Sequence, residues 1–327
     1  MGKNVKYIYR FLSSDLTEVS NVIYNCIGAK EEVDIKTMTD YLLSSGGKRL
    51  RPVFVLLSAK LFKYRGDDHI NIAAAVECIH SATLLHDDVV DESAMRRGQL
   101  TSHQKWGNKR SILVGDFLFS QAFCLMVRTG SLQVLSTLAN ASAIIAEGEV
   151  MQLGMINNLE LEIPKYIQMI QSKTAELFAA SCLAGAIIAD QSQDTCDIMH
   201  NFGLNVGVAF QIIDDVLDYT AKTDDLGKNI GDDFYEGKVT YPVIAVYRLS
   251  GALEKKLIQD IFSKSEKTEE DLKVLIALMH KHKAFEASVD LASYFIKRCH
   301  KTLDELPSNK IRYMFKDILD LQLSRVC

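Results

Sequence analysis

Along nearly the whole chain, apolar residues recur every three to four positions instead of alternating, which is the period of a helix face and not of a strand. The pattern predicts helices near 5–28, 34–44, 51–62, 69–92, 111–128, 131–154, 164–190, 194–219, 239–248, 252–263, 268–282, 284–304 and 308–324, each bounded to within a few residues. Only 4 prolines interrupt it, at Pro52, Pro164, Pro242 and Pro307. Breaks fall at Gly46–Gly47, at Arg96–Gly98 and across the polar stretch 221–238, AKTDDLGKNIGDDFYEGK. No linker rich in Pro, Gly or Ser divides the chain, so the expectation is all-α: a single domain over 1–327, built as a multi-helix bundle. The pair Gly203 and Gly207 is expected to let two helices pack closely.

Composition narrows the picture. With 327 residues and 48% hydrophobic content the chain can bury a substantial core. A net charge of -5 and a pI near 5.9 argue against nucleic-acid binding, which leaves a basic footprint. An anionic ligand must therefore be met by local basic clusters or by metal ions. The 7 cysteines (Cys26, Cys78, Cys124, Cys182, Cys196, Cys299 and Cys327) are scattered without a CxxC pair, which predicts neither a disulfide framework nor a zinc site. The opening MGKNVKYIYRF lacks the apolar core of a signal peptide. The longest apolar stretch, 131–146, is broken by Ser, Gln, Thr and Asn, so no transmembrane segment is expected. A cytoplasmic protein follows, with peripheral contact at a membrane left open.

Against this background two short runs stand out. LLHDDVVDESAMRRG (84–98) places Asp87, Asp88 and Asp91 directly after an apolar helical stretch, and FQIIDDVLDY (210–219) repeats the spacing in Asp214, Asp215 and Asp218. On a helix, residues i and i+4 share a face, so Asp87 projects with Asp91 and Asp214 with Asp218. One such run is usually a solvated helix end. Two identical DDxxD runs, each ending an apolar helix, favour a site for Mg²⁺, which takes carboxylate oxygens and completes its shell with water and substrate phosphates. His80 lies two turns before Asp87 on the same face, whereas His86 points elsewhere; Phe210 and Gln211 precede Asp214 in the corresponding way.

Basic residues sit where a diphosphate would need them. GGKRLRP (46–52) carries Lys48, Arg49 and Arg51 in a glycine-opened turn at a helix start, where backbone N–H groups also favour anions. Arg96 and Arg97 follow the first acidic run, Lys173 and Thr174 lie in QSKTAELF, and Lys228 and Lys238 follow the second run. Together these residues describe a cavity with acidic, metal-loaded walls and a cationic rim.

With these motifs in order, the sequence resembles the trans-isoprenyl diphosphate synthases, or polyprenyl synthetases, over roughly 38–245: GGKRLRP, LLHDDVVDESAMRRG, VGDFLFSQAF, GEVMQL, YIQMIQSKTAELF, GVAFQIIDDVLDY, LGKNIGDD and EGKVTYP. The resemblance implies the isoprenoid synthase fold around a central cavity, a homodimer, and Mg²⁺ held in the region of Asp87, Asp88, Asp91, Asp214, Asp215 and Asp218. It implies further that Lys48, Arg51, His80 and Arg97 hold isopentenyl diphosphate, and that Arg96, Lys173, Lys228 and Lys238 hold an allylic diphosphate such as farnesyl diphosphate. Thr174 and Gln211 would stand with Lys173 near the reacting carbons, and Phe210 beside the substrate. The final LQLSRVC matches no motif of the family and is assigned nothing.

The implied chemistry is departure of the allylic diphosphate, attack by the isopentenyl double bond and loss of a proton. Alternatives are a terpene cyclase, which would not need GGKRLRP, and a non-catalytic partner subunit, which would commonly have lost aspartates from one run. Product length is expected to depend on Ala82 and Thr83, with Ile79 and Val76 further down the helix, because small side chains before the first aspartates leave room for a long tail. SATLLHDDVVDES is similar to the long-chain quinone side-chain synthases, which implies an octaprenyl product; a shorter farnesyl or geranylgeranyl product is the alternative.

Overall fold

The structure is a computed structural model that describes residues 5–27, 33–44, 47–220 and 230–326, apart from the side chains of residues 33 and 34. Lys228 lies outside the described residues. Each segment of helical period forms helix. The first divides into α1 (Lys6–Phe11) and α2 (Ser13–Ile27), and α3 (Val33–Ser44), α4 (Leu50–Leu61) and α5 (Asp68–Val90) follow. Two elements were not anticipated here: a two-residue hairpin, β1 (Met95–Arg96) with β2 (Gln99–Leu100), and the short α6 (Ser102–Trp106). Then come α7 (Asn108–Arg128) and α8 (Leu132–Leu153). The segment expected as one helix over 164–190 is instead α9 (Ile163–Ile170), a π-helical turn over Gln171–Ala175, and α10 (Glu176–Ile187). The long α11 (Gln193–Thr220) precedes a short α12 (Asp232–Tyr235), also unanticipated. The chain then runs through α13 (Tyr241–Leu249), α14 (Ala252–Phe262), α15 (Glu269–Lys281), α16 (Ala284–Glu305) and α17 (Lys310–Leu323).

Helices α4 and α5 are apolar on nearly every side, as central helices must be. Val53 to Leu57 on α4 and Ile72 to Val76 on α5 are all 0% exposed. Phe54 of α4 joins three other helices at one point: its ring centroid lies 5.5 Å from Phe178 on α10, 6.3 Å from Phe202 on α11 and 5.4 Å from Phe315 on α17. This cluster fixes the buried part of α11 against the core, and the acidic end of α11 extends beyond it.

Close backbone approach sets the π turn in place. A Cβ built on Gly148 of α8 would lie 2.6 Å from the Lys173 nitrogen, and one on Gly207 of α11 would overlap the Cα of Ala175. Gly203 is in similar contact with the Phe178 backbone. The expected role of the 203/207 pair is therefore met, and what it packs against is the segment that carries Lys173 and Thr174. A π turn re-aims side chains relative to the flanking helix and often occurs at functional sites.

Helix α7 is long and apolar enough to cross a membrane by length and composition, although it is divided in character. Val114, Leu118, Ala122 and Leu125 are buried, while Leu113 and Val127 remain exposed.

Replacing Gly207 by alanine should force α11 away from the π turn. Overpacking of this kind costs roughly 1–3 kcal/mol. Equilibrium denaturation should show a loss of that size, and an unchanged midpoint would mean that the two segments are not held in contact.

Candidate active site

The first acidic run sits where α5 ends. Asp91 is its C-cap, with its N–H bonded to the Asp87 carbonyl at 2.8 Å. The chain then turns back through the β1–β2 hairpin, which separates the adjacent arginines. Arg96 donates from Nε to Asp88 Oδ1 at 2.7 Å, and Asp88 is 2% exposed. Arg97, at φ 52° in the hairpin turn, lies instead over Gly47, where a Cβ would come 2.6 Å from its Nη1. Glycine at 47 thus makes room for Arg97 beside Lys48, which the sequence grouping required.

Asp87 has less compensation. Burial first, then the negative charge of Glu149, push its carboxyl up to about 7 against the pull of Lys173. Lys173, projected from the π turn, donates to Glu149 Oε2 and to Gln152 Oε1, each at 2.7 Å.

The second run lies along the last turns of α11. Asp214 accepts from Arg325 Nη1 at 3.0 Å. Asp215, 2% exposed, accepts from the Tyr166 hydroxyl at 2.5 Å and from Gln211 Nε2 at 2.8 Å. Gln211 in turn accepts at Oε1 from the Thr174 hydroxyl at 2.7 Å, so Thr174, Gln211, Asp215 and Tyr166 form one connected network. Burial, followed by the charge of Asp233, raises the Asp215 carboxyl to about 7. Asp218 accepts from the Asp233 N–H at 3.3 Å.

Lys238 links the first run to the segment that follows the second, its backbone N–H bonding the Asp233 carbonyl at 2.8 Å. It follows the second run in sequence, yet its ammonium reaches Asp91 Oδ2 of the first at 2.8 Å, as well as Glu236 Oε2 at 2.6 Å. Burial works against its charge, but Asp233, Asp91 and Glu236 outweigh it and hold the ammonium above the ordinary lysine range.

A basic pocket adjoins this mouth. Arg51 Nη1 lies 3.2 Å from His80 Nε2, and its guanidinium stands 4.6 Å from the Phe178 ring centroid. Burial, then Arg51, Arg97 and Arg96, hold the His80 imidazole well below its usual range, so it is neutral and accepts from Arg51. Arg51 itself is lowered to about 10, chiefly by burial. Arg49 turns aside to bond Ser20 Oγ at 2.6 Å. Glu77, 7% exposed and one turn before His80, interacts with Arg49, Arg51 and Arg97; burial raises its carboxyl. Phe210 packs at 5.6 Å from Phe178.

The family model described as Polyprenyl synthetase matches residues 32–279. The chain belongs to the polyprenyl synthetase family. It is 39% identical over 285 residues to an octaprenyl diphosphate synthase of Haemophilus influenzae, covering 87% of this chain and 86% of the relative. A decaprenyl diphosphate synthase from Rhodobacter capsulatus superposes with a TM-score of 0.93 at 42% identity, over 98% of this chain and 99% of that one. A polyprenyl synthase from Caulobacter crescentus CB15, solved with calcium and isoprenyl diphosphate, gives 0.95 at 40% identity over 100% of both. The fold is accordingly the all-α isoprenoid synthase fold, and the chain is a trans-prenyltransferase.

In this synthase the donor set suits a hard divalent cation. Among the described residues no three acidic or histidine side chains converge closely enough to hold a metal unaided. Mg²⁺ does not require that, because it usually takes one or two carboxylates and fills its shell with water and phosphate oxygens. The aspartates now face an ammonium and two guanidinium groups, the company expected of carboxylates arranged for added positive charge.

Tyr166, Glu149, Gln152, Asp233, Glu77 and Arg325 were not singled out by sequence reasoning. The first four lie inside or beside quoted motifs, but nothing in their spacing marks them individually. Each acts by contact with a residue distant in sequence. Ala82 and Thr83 prove to face differently: Ala82 is 0% exposed and packs with Met38, Leu42, Leu85, Val114 and Leu118. Thr83 is partly buried near the Asp87 face, its hydroxyl on the His80 carbonyl at 2.9 Å.

Asp87 and Asp215 generate a pH dependence. Between the ordinary aspartate range and about 7, both are protonated in the folded chain and ionised in the unfolded one. The fold binds more protons there, so their contribution makes stability fall as pH rises through that window. Melting temperatures in EDTA should decline from pH 5 to pH 8, and Asp87→Asn should flatten the slope. A rise across the same window would contradict the assignment.

Proposed function

We propose that the synthase condenses isopentenyl diphosphate with an allylic diphosphate such as farnesyl diphosphate in a Mg²⁺-dependent reaction and builds a long all-trans chain, octaprenyl diphosphate, destined for a quinone side chain. The observation that carries this reading is the bond from Lys238 to Asp91 of the first run, made by a residue whose backbone N–H bonds Asp233, itself bonded to Asp218 of the second; the charge of Asp214 acts on Arg51 in the basic pocket, which supports both runs serving one site. The Caulobacter relative, solved with calcium and isoprenyl diphosphate, supports both classes of ligand. All six aspartates are retained, which favours a catalyst over a binding-only partner subunit.

Asp87 and Asp91 on one side and Asp214 and Asp218 on the other would hold Mg²⁺, with Asp88 and Asp215 positioned behind them. When bound, Mg²⁺ supplies neutralisation of the departing diphosphate. Arg96, Lys173, Lys238 and, outside the described residues, Lys228 grip the allylic diphosphate and stabilise the charge that grows on it as the C–O bond breaks. Lys48, Arg51 and Arg97 hold isopentenyl diphosphate, with neutral His80 accepting from Arg51 and so aiming its guanidinium. Thr174 donates its hydroxyl hydrogen bond to Gln211 Oε1, which leaves the hydroxyl lone pairs to face positive charge on the allylic carbon. Much of the rate comes from holding two substrates in one geometry. No side chain at the site serves as a strong base, and the departing diphosphate takes the proton.

Product length follows α5. Thr83 stands one turn below Asp87, roughly 6 Å deeper at a rise of about 1.5 Å per residue, and Ile79 and Val76 continue the descent. The octaprenyl and decaprenyl relatives support a long product. The exposed apolar side of α7 and α8, with Leu113 at 66%, Val127 at 62%, Leu132 at 80% and Val150 at 70% exposure, suits a second copy of the chain and a homodimer. A cytoplasmic location fits the described cysteines, which are free.

Three outcomes test this reading. Asp87→Asn and Asp214→Asn should each slow turnover at least a hundredfold, the loss of ~3–4 kcal/mol of leaving-group stabilisation; near-normal rates in both, or full activity in EDTA, would refute the metal role. Thr83→Phe should shorten the main product to a farnesyl or geranylgeranyl length while the first condensation persists, and chromatography of the dephosphorylated products would expose an unchanged long chain. Light scattering at micromolar concentration should give a dimer mass, against which a monomer would count.

A further inference from the structure

The turn after α17 brings Arg325 to the second acidic run, although LQLSRVC carries no motif. Its Nη1 lies 3.0 Å from Asp214 Oδ1, with the two side chains 26% and 38% exposed. Its guanidinium is also 5.9 Å from the centroid of the Phe210 ring. Behind it a narrow cavity is lined by Tyr9, Lys48, Phe210, Ile318 and Gln322. Gln322 is 4% exposed, and neither amide atom has a hydrogen-bond partner. The end of α17 is therefore tied to α11 by charge, while the polar group beneath it stays unsatisfied.

We propose that Arg325 is a resident counter-ion of Asp214, displaced when a divalent cation binds there, so that metal loading releases the turn after α17. The proposal rests on the metal-dependent reading of the site. A guanidinium and a divalent cation both draw on the charge of the one Asp214 carboxylate and repel each other across it, and such competition is a negative coupling that must hold in both directions. What stabilises the turn in the metal-free chain thus weakens metal binding, and metal binding loosens the turn. The freed guanidinium adds its charge to that of Lys48, on the same cavity, and strengthens the cationic rim of the basic pocket.

The test uses the full chain without substrate and Mn²⁺ as the probe, with free Mn²⁺ read by electron paramagnetic resonance. Arg325→Gln should bind Mn²⁺ up to roughly fivefold more tightly than the parent, the upper end of the range expected for losing a partly exposed ion pair. Arg325→Lys should return affinity toward the parent value. Lys48→Gln removes one positive charge nearby without breaking a bond to Asp214, so it should tighten binding less than Arg325→Gln. Hydrogen exchange supplies a readout independent of affinity: amides of 318–326 should exchange faster when Mn²⁺ is added to the parent. In Arg325→Gln they should already be fast and should not respond. Unchanged or weaker Mn²⁺ binding in Arg325→Gln, or metal-insensitive exchange in the parent, would overturn the proposal. Asp214→Asn separates the two levels of argument. If it weakens Mn²⁺ binding while Arg325→Gln changes nothing, only the counter-ion role fails; if it too leaves binding unchanged, the metal reading of the second run fails with it.

Discussion

Repulsion among carboxylates is the constraint around which this molecule is arranged. Two helices end in aspartate triplets at one mouth, and burial makes their charge costly unless it is answered. The structure answers each differently. Asp88 has Arg96 from the hairpin, Asp91 has Lys238 from across the mouth, Asp214 has Arg325, and Asp215 has the hydroxyl of Tyr166 and the amide of Gln211. Asp87, beside Glu149, and Asp215, despite its two donors, are still left with carboxyls raised to about 7. A site satisfied by so many separate cations is one that a divalent ion and a polyanion can enter by exchange, with little net change in charge.

The scaffold makes that exchange local. The acidic ends project from α5, buried throughout Ile72 to Val76, and from α11, which is locked in the aromatic cluster around Phe54. The π turn is pressed between α8 and α11 at Gly148 and Gly207, which fixes Lys173 and Thr174 without a flexible loop. Catalysis of this kind depends on charge already aimed at where it will be needed, so a rigid mount for the donors matters as much as their identity.

Much of this was legible in the sequence. Helical period alone located the long helices, because each has an apolar face or is apolar throughout, and the two DDxxD runs declared their own spacing. The failures have a common physical source. Hairpin β1–β2, α6 and α12 are too short to carry a period, and the π turn differs from an α-helix by one hydrogen-bond register within an unbroken apolar pattern. Tyr166 matters through a partner 49 residues away, Arg325 through one 111 residues away, and Glu77 through arginines on other elements that only folding brings near. The separation of Ala82 from Thr83 shows the same limit: adjacent residues on a helix point about 100° apart, and only the packing partners of Ala82 reveal which direction is filled.

The central claim is that the two acidic runs form one divalent-cation site for a diphosphate. Crystals grown with Mn²⁺ and inorganic diphosphate, measured at the manganese absorption edge, address it directly. Anomalous peaks should appear against Asp87 and Asp91 and against Asp214 and Asp218, with the diphosphate between them and Lys238 and Lys173 on its oxygens. Manganese bound away from both runs, or diphosphate held with no manganese at either, would contradict the account.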